Sequence, residues 1–349
     1  MGIIWLWIGF FALVFFMLAL DLGVFNRKVH VMSIGEALKW TALWIALALL
    51  FNVGVYFIYE HNLFGIAGMF HESGTHCGKT AFCEFLTGYL VEKSLSLDNI
   101  FVISLIFSAF GVPQLYQHRV LFWGILSALV LRGLMIGLGA AMVERFDWMI
   151  YVFAGLLFLT ALKMMFGSHE EADPKKNLVV RLTKKVFPVH DRILNEYFFE
   201  HIDGRWFASP LLLALFVIET SDVIFAVDSI PAIFGITRDP FIVFTSNIFA
   251  LLGLRSLYFA LAAMIAKFRF LKASLIVILL YVSAKMIFAG YFKERIQGYE
   301  VWGMSGGDLL TLISLGVIVG VMAIGIIFSM MFPARAEAGE LALTPKTNE

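Results

Sequence analysis

Glu92, Asp98 and Asn99 lie in YLVEKSLSLDNIF, and Glu219, Asp222 and Asp228 lie in ETSDVIFAVDSIP. Both stretches are flanked by long apolar runs, where one ionised acid at a span centre already costs about 2.5–3.5 kcal/mol. Five acids gathered there repel one another, and two things relieve them: protons, or a cation. The donors are carboxylates, an amide, hydroxyls and backbone carbonyls, with no Cys or His beside the acids in either stretch. Hard oxygen ligation favours Mg2+, Ca2+ or Mn2+ over Zn2+ or Cu(I).

On a helix, Glu92, Ser96 and Asn99 share one face, Asp98 falls to its side, and Glu219 and Asp222 stand one turn apart. Asp228, six residues past Asp222, shares a face with Ser221. Pro231 removes a backbone donor and clashes with the Val227 carbonyl, predicting a helix kinked or unwound near Asp228. Thr245, Ser246 and Asn247 are read mainly as packing residues, with Asn247 a possible further ligand. The competing reading pairs the acids with Arg132 and Arg255 in buried ion pairs that merely hold helices together.

The elements that must position these residues are membrane helices. The chain has 349 residues, 60% hydrophobic and 15% charged, with a mean hydropathy of +0.87. Soluble domains run nearer about 45–50% apolar and about 25% charged. Apolar runs long enough to cross a bilayer core fall at about 3–24, 36–58, 82–107, 119–142, 148–167, 208–234, 241–265, 271–291 and 308–332. The first lacks a basic leader and a small-residue cleavage site and reads as a retained span. The expected fold is an all-α polytopic bundle of nine transmembrane helices. Sixteen Lys and Arg fall in loops on one side and five on the other, which puts the amino terminus outside and the carboxyl terminus inside.

The chain also repeats itself. Asp98 aligned on Asp222 brings Ile100-Phe101 onto Ile224-Phe225 and Phe110-Gly111 onto Phe234-Gly235. With small gaps, Arg132-Gly133-Leu134 meets Arg255-Ser256-Leu257, and Lys163-Met164 meets Lys285-Met286. Each copy holds three spans, an odd number, so the second is inverted relative to the first, an organisation of many secondary transporters. The expected units are two leading spans and an outer loop (1–81), repeat one (82–167), an inner segment (168–207), repeat two (208–291), an outer loop and last span (292–332) and a polar tail (333–349). HIDGRWF suggests a hairpin turn at Asp203-Gly204. Cys77 and Cys83 sit before the third span, where an oxidising compartment permits a disulfide. Balanced charge, 26 basic against 26 acidic residues, gives no electrostatic case for a nucleic-acid partner, and no nucleotide-binding glycine pattern is present.

EKSLSLDNIF and ETSDVIFAVDSIPAIFGITRDPFIVFTSNIFALLGLRSLYF resemble the signature blocks of the TerC family, and the pattern of spans is similar to its Alx-like branch, within the LysE-like exporters. The resemblance covers roughly residues 5–330. It implies manganese efflux across the bacterial inner membrane, a family name taken from tellurite resistance, and inverted three-helix repeats. It places the metal-site acids at Glu92, Asp98, Glu219, Asp222 and Asp228, with Asn99 beside them. The residue chemistry alone stops at a hard divalent cation; the resemblance puts Mn2+ first as the transported ion, with Ca2+ and Mg2+ behind it. The resulting expectation is a non-enzymatic Mn2+ exporter, exchanging against protons, with the lipid bilayer as its surroundings. The alternative is a non-transporting membrane scaffold of a tellurite or metal stress-resistance complex.

Overall fold

The computed structural model describes residues 2–23, 33–66, 78–146, 148–166, 178–186, 188–189, 193, 195–202, 205–262, 270–291, 300–301 and 304–331. Cys77 and the turn residues Asp203-Gly204 lie outside them. Among the described residues the chain forms eleven α-helices and two short hairpins. The helices are α1 (Gly2–Gly23), α2 (Ile34–Glu60), α3 (Gly78–Phe110), α4 (Gln114–Arg145), α5 (Met149–Phe166), α6 (Leu178–Val186), α7 (Pro210–Phe234), α8 (Pro240–Leu251), α9 (Leu254–Ala262), α10 (Leu271–Tyr291) and α11 (Gly306–Met331). Strands Phe199–Ile202 and Arg205–Ala208 pair antiparallel across the expected turn.

Local chemistry sets the helix ends. Ser33 caps α2 by accepting from the Glu36 N–H. Pro210 and Pro240 occupy the first turns of α7 and α8, where a missing N–H costs nothing. Gly111, at φ +63°, supplies the left-handed turn that ends α3.

Leu50, Val130, Leu134, Leu159, Phe166, Phe288 and Met330 are all more than 60% exposed. Long helices presenting such residues outward on every side suit lipid, and the chain is a polytopic helical membrane protein. Seven helices are individually long and apolar enough to span a bilayer, and α8 with α9 forms an eighth candidate bent by 43°. The 33-residue α3 is long enough but carries Lys79, Glu84, Glu92, Lys93 and Asp98.

Every residue of α8 from Phe241 to Leu251 is buried. Around it packs an aromatic cluster from α1, α2 and α3, including Phe10, Phe51, Phe85 and Phe249, with Phe51 and Phe249 stacked at 4.5 Å. A second apolar cluster joins the later half of α3 to α4, α7 and α9, and a third joins α5 to α10 and α11.

The interruption expected near Asp228 is not found. α7 runs unbroken through Pro231. Pro231 lies in the last turn, so only one intrahelical bond is lost, and its own carbonyl accepts from the Gly235 N–H at 3.0 Å. The break falls instead at Leu252-Gly253, between α8 and α9, where Gly253 has φ +83°.

Candidate functional site

Glu92, Arg132, Asp222 and Asn247 meet at the centre of the bundle, one each from α3, α4, α7 and α8. Arg132 is fully buried. Its Nη1 donates to Glu92 Oε1, its Nη2 to Asp222 Oδ1 at 2.8 Å and its Nε to Asp222 Oδ2 at 3.1 Å. Asn247 closes the set: its Nδ2 donates to Glu92 Oε2 at 3.2 Å and its Oδ1 accepts from Arg132 Nη1 at 3.3 Å. Asn247 thus ties α8 to α3 and α4 through the polar centre. Thr245 and Ser246 only return hydrogen bonds to their own helix. Removing one partner from a buried ion pair of this kind costs about 3–5 kcal/mol.

A small pocket of about 30 Å³ lies against this cluster, between α3, α4, α7 and the first residue of α9. Its polar lining is Asn99, Glu219, Ser221 and Asp222, with apolar walls from residues such as Val102, Leu121, Ile125 and Phe225. Gly124 opens the α4 wall: a Cβ there would meet Glu219 Oε1 and Ile218 at 3.8 Å. Asn99 Oδ1 and Glu219 Oε2 are buried and have no hydrogen-bond partner. The other Glu219 oxygen accepts from Ser127 Oγ. Ser221 donates to the Val217 carbonyl and Ser96 to the Glu92 carbonyl, so both satisfy their own helices.

The six expected ligands therefore divide. Asn99, Glu219 and Asp222 face one pocket. Glu92 sits behind them on Arg132. Asp228 points elsewhere, accepting from Thr160 Oγ1 of α5 at 2.7 Å with the charge of Lys163 acting on it. Asp98 is half-buried on α3 next to Asn99 and does not line the pocket. Arg255 is buried in α9. Among the described residues, no three His, Cys, Asp or Glu side chains converge as a metal-holding group. The pocket offers two carboxylates with an amide and a hydroxyl, a donor set of oxygens alone. Cys83 is half-buried on α3, and its proposed partner Cys77 is outside the described residues.

Sequence reasoning missed Ser127, Thr160 and a second polar network at the end of the bundle where α2 finishes and α3 begins. There Tyr59 donates to Asp239 Oδ2 at 2.5 Å, and Thr237 donates to Glu84 Oε2 at 2.8 Å. Asp239 Oδ1 caps α8 through the Phe241 N–H at 2.9 Å. Asp239 lies in the turn between α7 and α8, and burial pushes its carboxyl up to about 6, against the hydrogen bonds from Tyr59, Phe241 and Ile242. The signal was present: Glu84 is an acid inside an apolar run, and Asp-Pro is a helix-start pair.

The profile of the family described as "Integral membrane protein TerC family" matches residues 77–337. An uncharacterized membrane protein of Myxococcus xanthus is 46% identical over 335 residues, covering 96% of this chain and 95% of that protein. Proteins described as putative membrane-bound redox modulator Alx are 40% identical in Salmonella typhi, covering 93% of each chain, and 39% identical in Escherichia coli K12, covering 93% of this chain and 94% of that one. No solved structure matches. With its spans, its acid-bearing helices and three-quarters of its length inside the family's profile, the chain belongs to the TerC family of integral membrane proteins.

Proposed function

We propose that the chain is a secondary transporter that exports divalent cations, Mn2+ first, across the bacterial inner membrane in exchange for protons. One observation carries this reading: Asn99 Oδ1 and Glu219 Oε2 are buried without partners in one pocket that Asp222 and Ser221 also line. A buried polar atom left unsatisfied costs about 1–3 kcal/mol, and a cation in the pocket would satisfy both. Oxygen donors alone suit Mn2+, Mg2+ or Ca2+. Protons compete for the same carboxylate oxygens, which gives the exchange its economy.

The architecture that goes with this reading counts α3 and the bent α8–α9 pair as spans, making nine. It treats α3 to α5 and α7 to α10 as inverted repeats and puts the amino terminus outside. The relatives' description as redox modulators agrees with it, because moving a redox-active metal changes redox balance without electron transfer by the carrier.

The scaffold reading keeps one specific support, the Arg132 bridge between Glu92 and Asp222. The two are separated by flux through the purified full-length chain in proteoliposomes, across Mn2+, Ca2+, Mg2+ and Zn2+ with an imposed pH gradient. Asp222→Asn and Glu219→Gln, both in the pocket lining, are expected to abolish Mn2+ movement while the protein still inserts. Wild-type flux from both variants would overturn the transporter reading.

A further inference from the structure

Asp222 belongs to two environments at once. It lines the pocket with Asn99 and Glu219, and both of its carboxylate oxygens accept from Arg132. Exposure grades across the cluster accordingly: the side chains of Arg132 and Glu92 are 0% and 1% exposed and that of Asp222 is 13%. Asp222 is the wall between the buried ion cluster and the pocket.

We infer that Arg132 is a resident counter-ion that competes with the transported cation for Asp222, and so sets the affinity and charge preference of the site. The inference rests on the transporter reading above. A hard cation entering the pocket meets Glu219 and Asn99 with free oxygens, but Asp222 with both oxygens engaged. To ligate fully it must draw Asp222 off the guanidinium. Arg132 is not stranded when that happens, because Nη1 keeps Glu92 Oε1 and Asn247 Oδ1. When the cargo leaves, the fork of the guanidinium recovers a bidentate carboxylate, which drives release. Charge matching follows. Glu92, Asp222 and Glu219 as carboxylates, with Arg132, carry two negative charges in excess, which a divalent ion cancels. A monovalent ion leaves one uncompensated in a low-dielectric centre. Without Arg132 the excess would be three.

The role is one of positioning, and its test separates affinity from turnover. The variant Arg132→Gln combined with Glu92→Gln removes the competitor and keeps the net charge of the cluster. Mn2+ alone, titrated calorimetrically into the purified full-length chain, is expected to bind it at least about tenfold more tightly than wild type, the equivalent of one charge-assisted hydrogen bond removed from competition. In proteoliposomes KM and kcat should fall together, since release loses its drive. Arg132→Lys, which keeps the charge but cannot fork onto both oxygens, should bind severalfold more tightly. A double variant that folds and binds Mn2+ within about twofold of wild type, or more weakly, overturns the inference alone. Wild type that binds none of Mn2+, Ca2+ and Mg2+ overturns the transporter reading and this inference with it.

A second measurement needs no variant. Infrared difference spectra of wild type with isotope-labelled arginine should show a guanidinium band shift on Mn2+ addition. Mn2+ binding without any such shift overturns the inference even if every variant misfolds.

Discussion

The ammonium of Lys93 on α3 donates to the Ala250 carbonyl, 3.2 Å away, at the last turn of α8 just before the chain bends into α9. The end of a helix leaves carbonyls without intrahelical donors and carries partial negative charge. In lipid no water covers them, so the break is tolerated where protein supplies a donor. Lys93 is that donor, and its charge also lies 5.9 Å from the centre of the Tyr89 ring. Lys93→Met is therefore expected to lower stability by about 1.5–3 kcal/mol, the worth of a hydrogen bond to a charged group. Thermal unfolding of the purified chain in detergent reads this out, and an unchanged midpoint would mean the break holds itself.

Gly253 makes the same break possible. At φ +83° it occupies a backbone region that side chains resist, and a Cβ there would meet Trp44 Cβ and Cγ at 2.7 Å. Gly253→Ala combines about 1–2 kcal/mol of left-handed backbone penalty with about 1–3 kcal/mol of overpacking. Adding Trp44→Ala to Gly253→Ala should recover the second part and not the first. A double-mutant cycle in chemical unfolding tests the division; strictly additive costs would remove Trp44 from the account.

These two residues show where the sequence was readable. The helices were legible because apolar length leaves few alternatives in a membrane, and the hairpin around Asp203-Gly204 because its turn chemistry is local. The position of the broken span was not legible. Pro231 advertises a break but sits too near the end of α7 to make one, whereas Gly253 needs Trp44 of another helix to explain it. The acids were legible as a set, but their division depends on helix rotation. Six residues are one and two-thirds turns, enough to swing Asp228 away from Asp222 and onto Thr160 of α5. The choice of Arg132 as the bridge between Glu92 and Asp222 is likewise a property of three helices packed together.

Asp239 gives a pH signature at the end of the bundle away from the pocket. Its carboxyl is pushed from 3.8 up to about 6 by burial. The folded state therefore holds a proton that the unfolded state has released, and stability falls with rising pH between those values. The contribution is full below about pH 4 and is lost as pH rises through about 6. Asp239→Asn stays neutral while its Oδ1 still caps α8, and its Nδ2 can donate to the Tyr59 hydroxyl in place of the bond that Tyr59 gives Oδ2. Its stability should therefore decline less from pH 4 to pH 7 than that of wild type, with the two curves diverging upward in pH. Glu84 and Lys285, which interact electrostatically, are present in both proteins and cancel in the difference. Parallel curves would show that Asp239 does not titrate in this range.

On the proposed transporter reading, Mn2+ binding depends on the pocket and not on the Asp228 contact. Glu219 presents an oxygen without a partner to the pocket, so Glu219→Gln removes a charged ligand and should weaken Mn2+ binding by about tenfold or more, about 1.4 kcal/mol at least. Asn99→Ala removes a neutral donor and should act in the same direction with smaller effect. Asp228 spends an oxygen on Thr160 at 2.7 Å and lies outside the pocket lining. Asp228→Asn keeps an acceptor for Thr160 and should change affinity by less than about threefold, under 0.7 kcal/mol, leaving any defect in turnover. Thr160→Val should resemble Asp228→Asn rather than Glu219→Gln. Calorimetric Mn2+ titration of the four variants decides the matter, because an Asp228→Asn loss equal to that of Glu219→Gln would put Asp228 among the ligands and the pocket boundary in the wrong place.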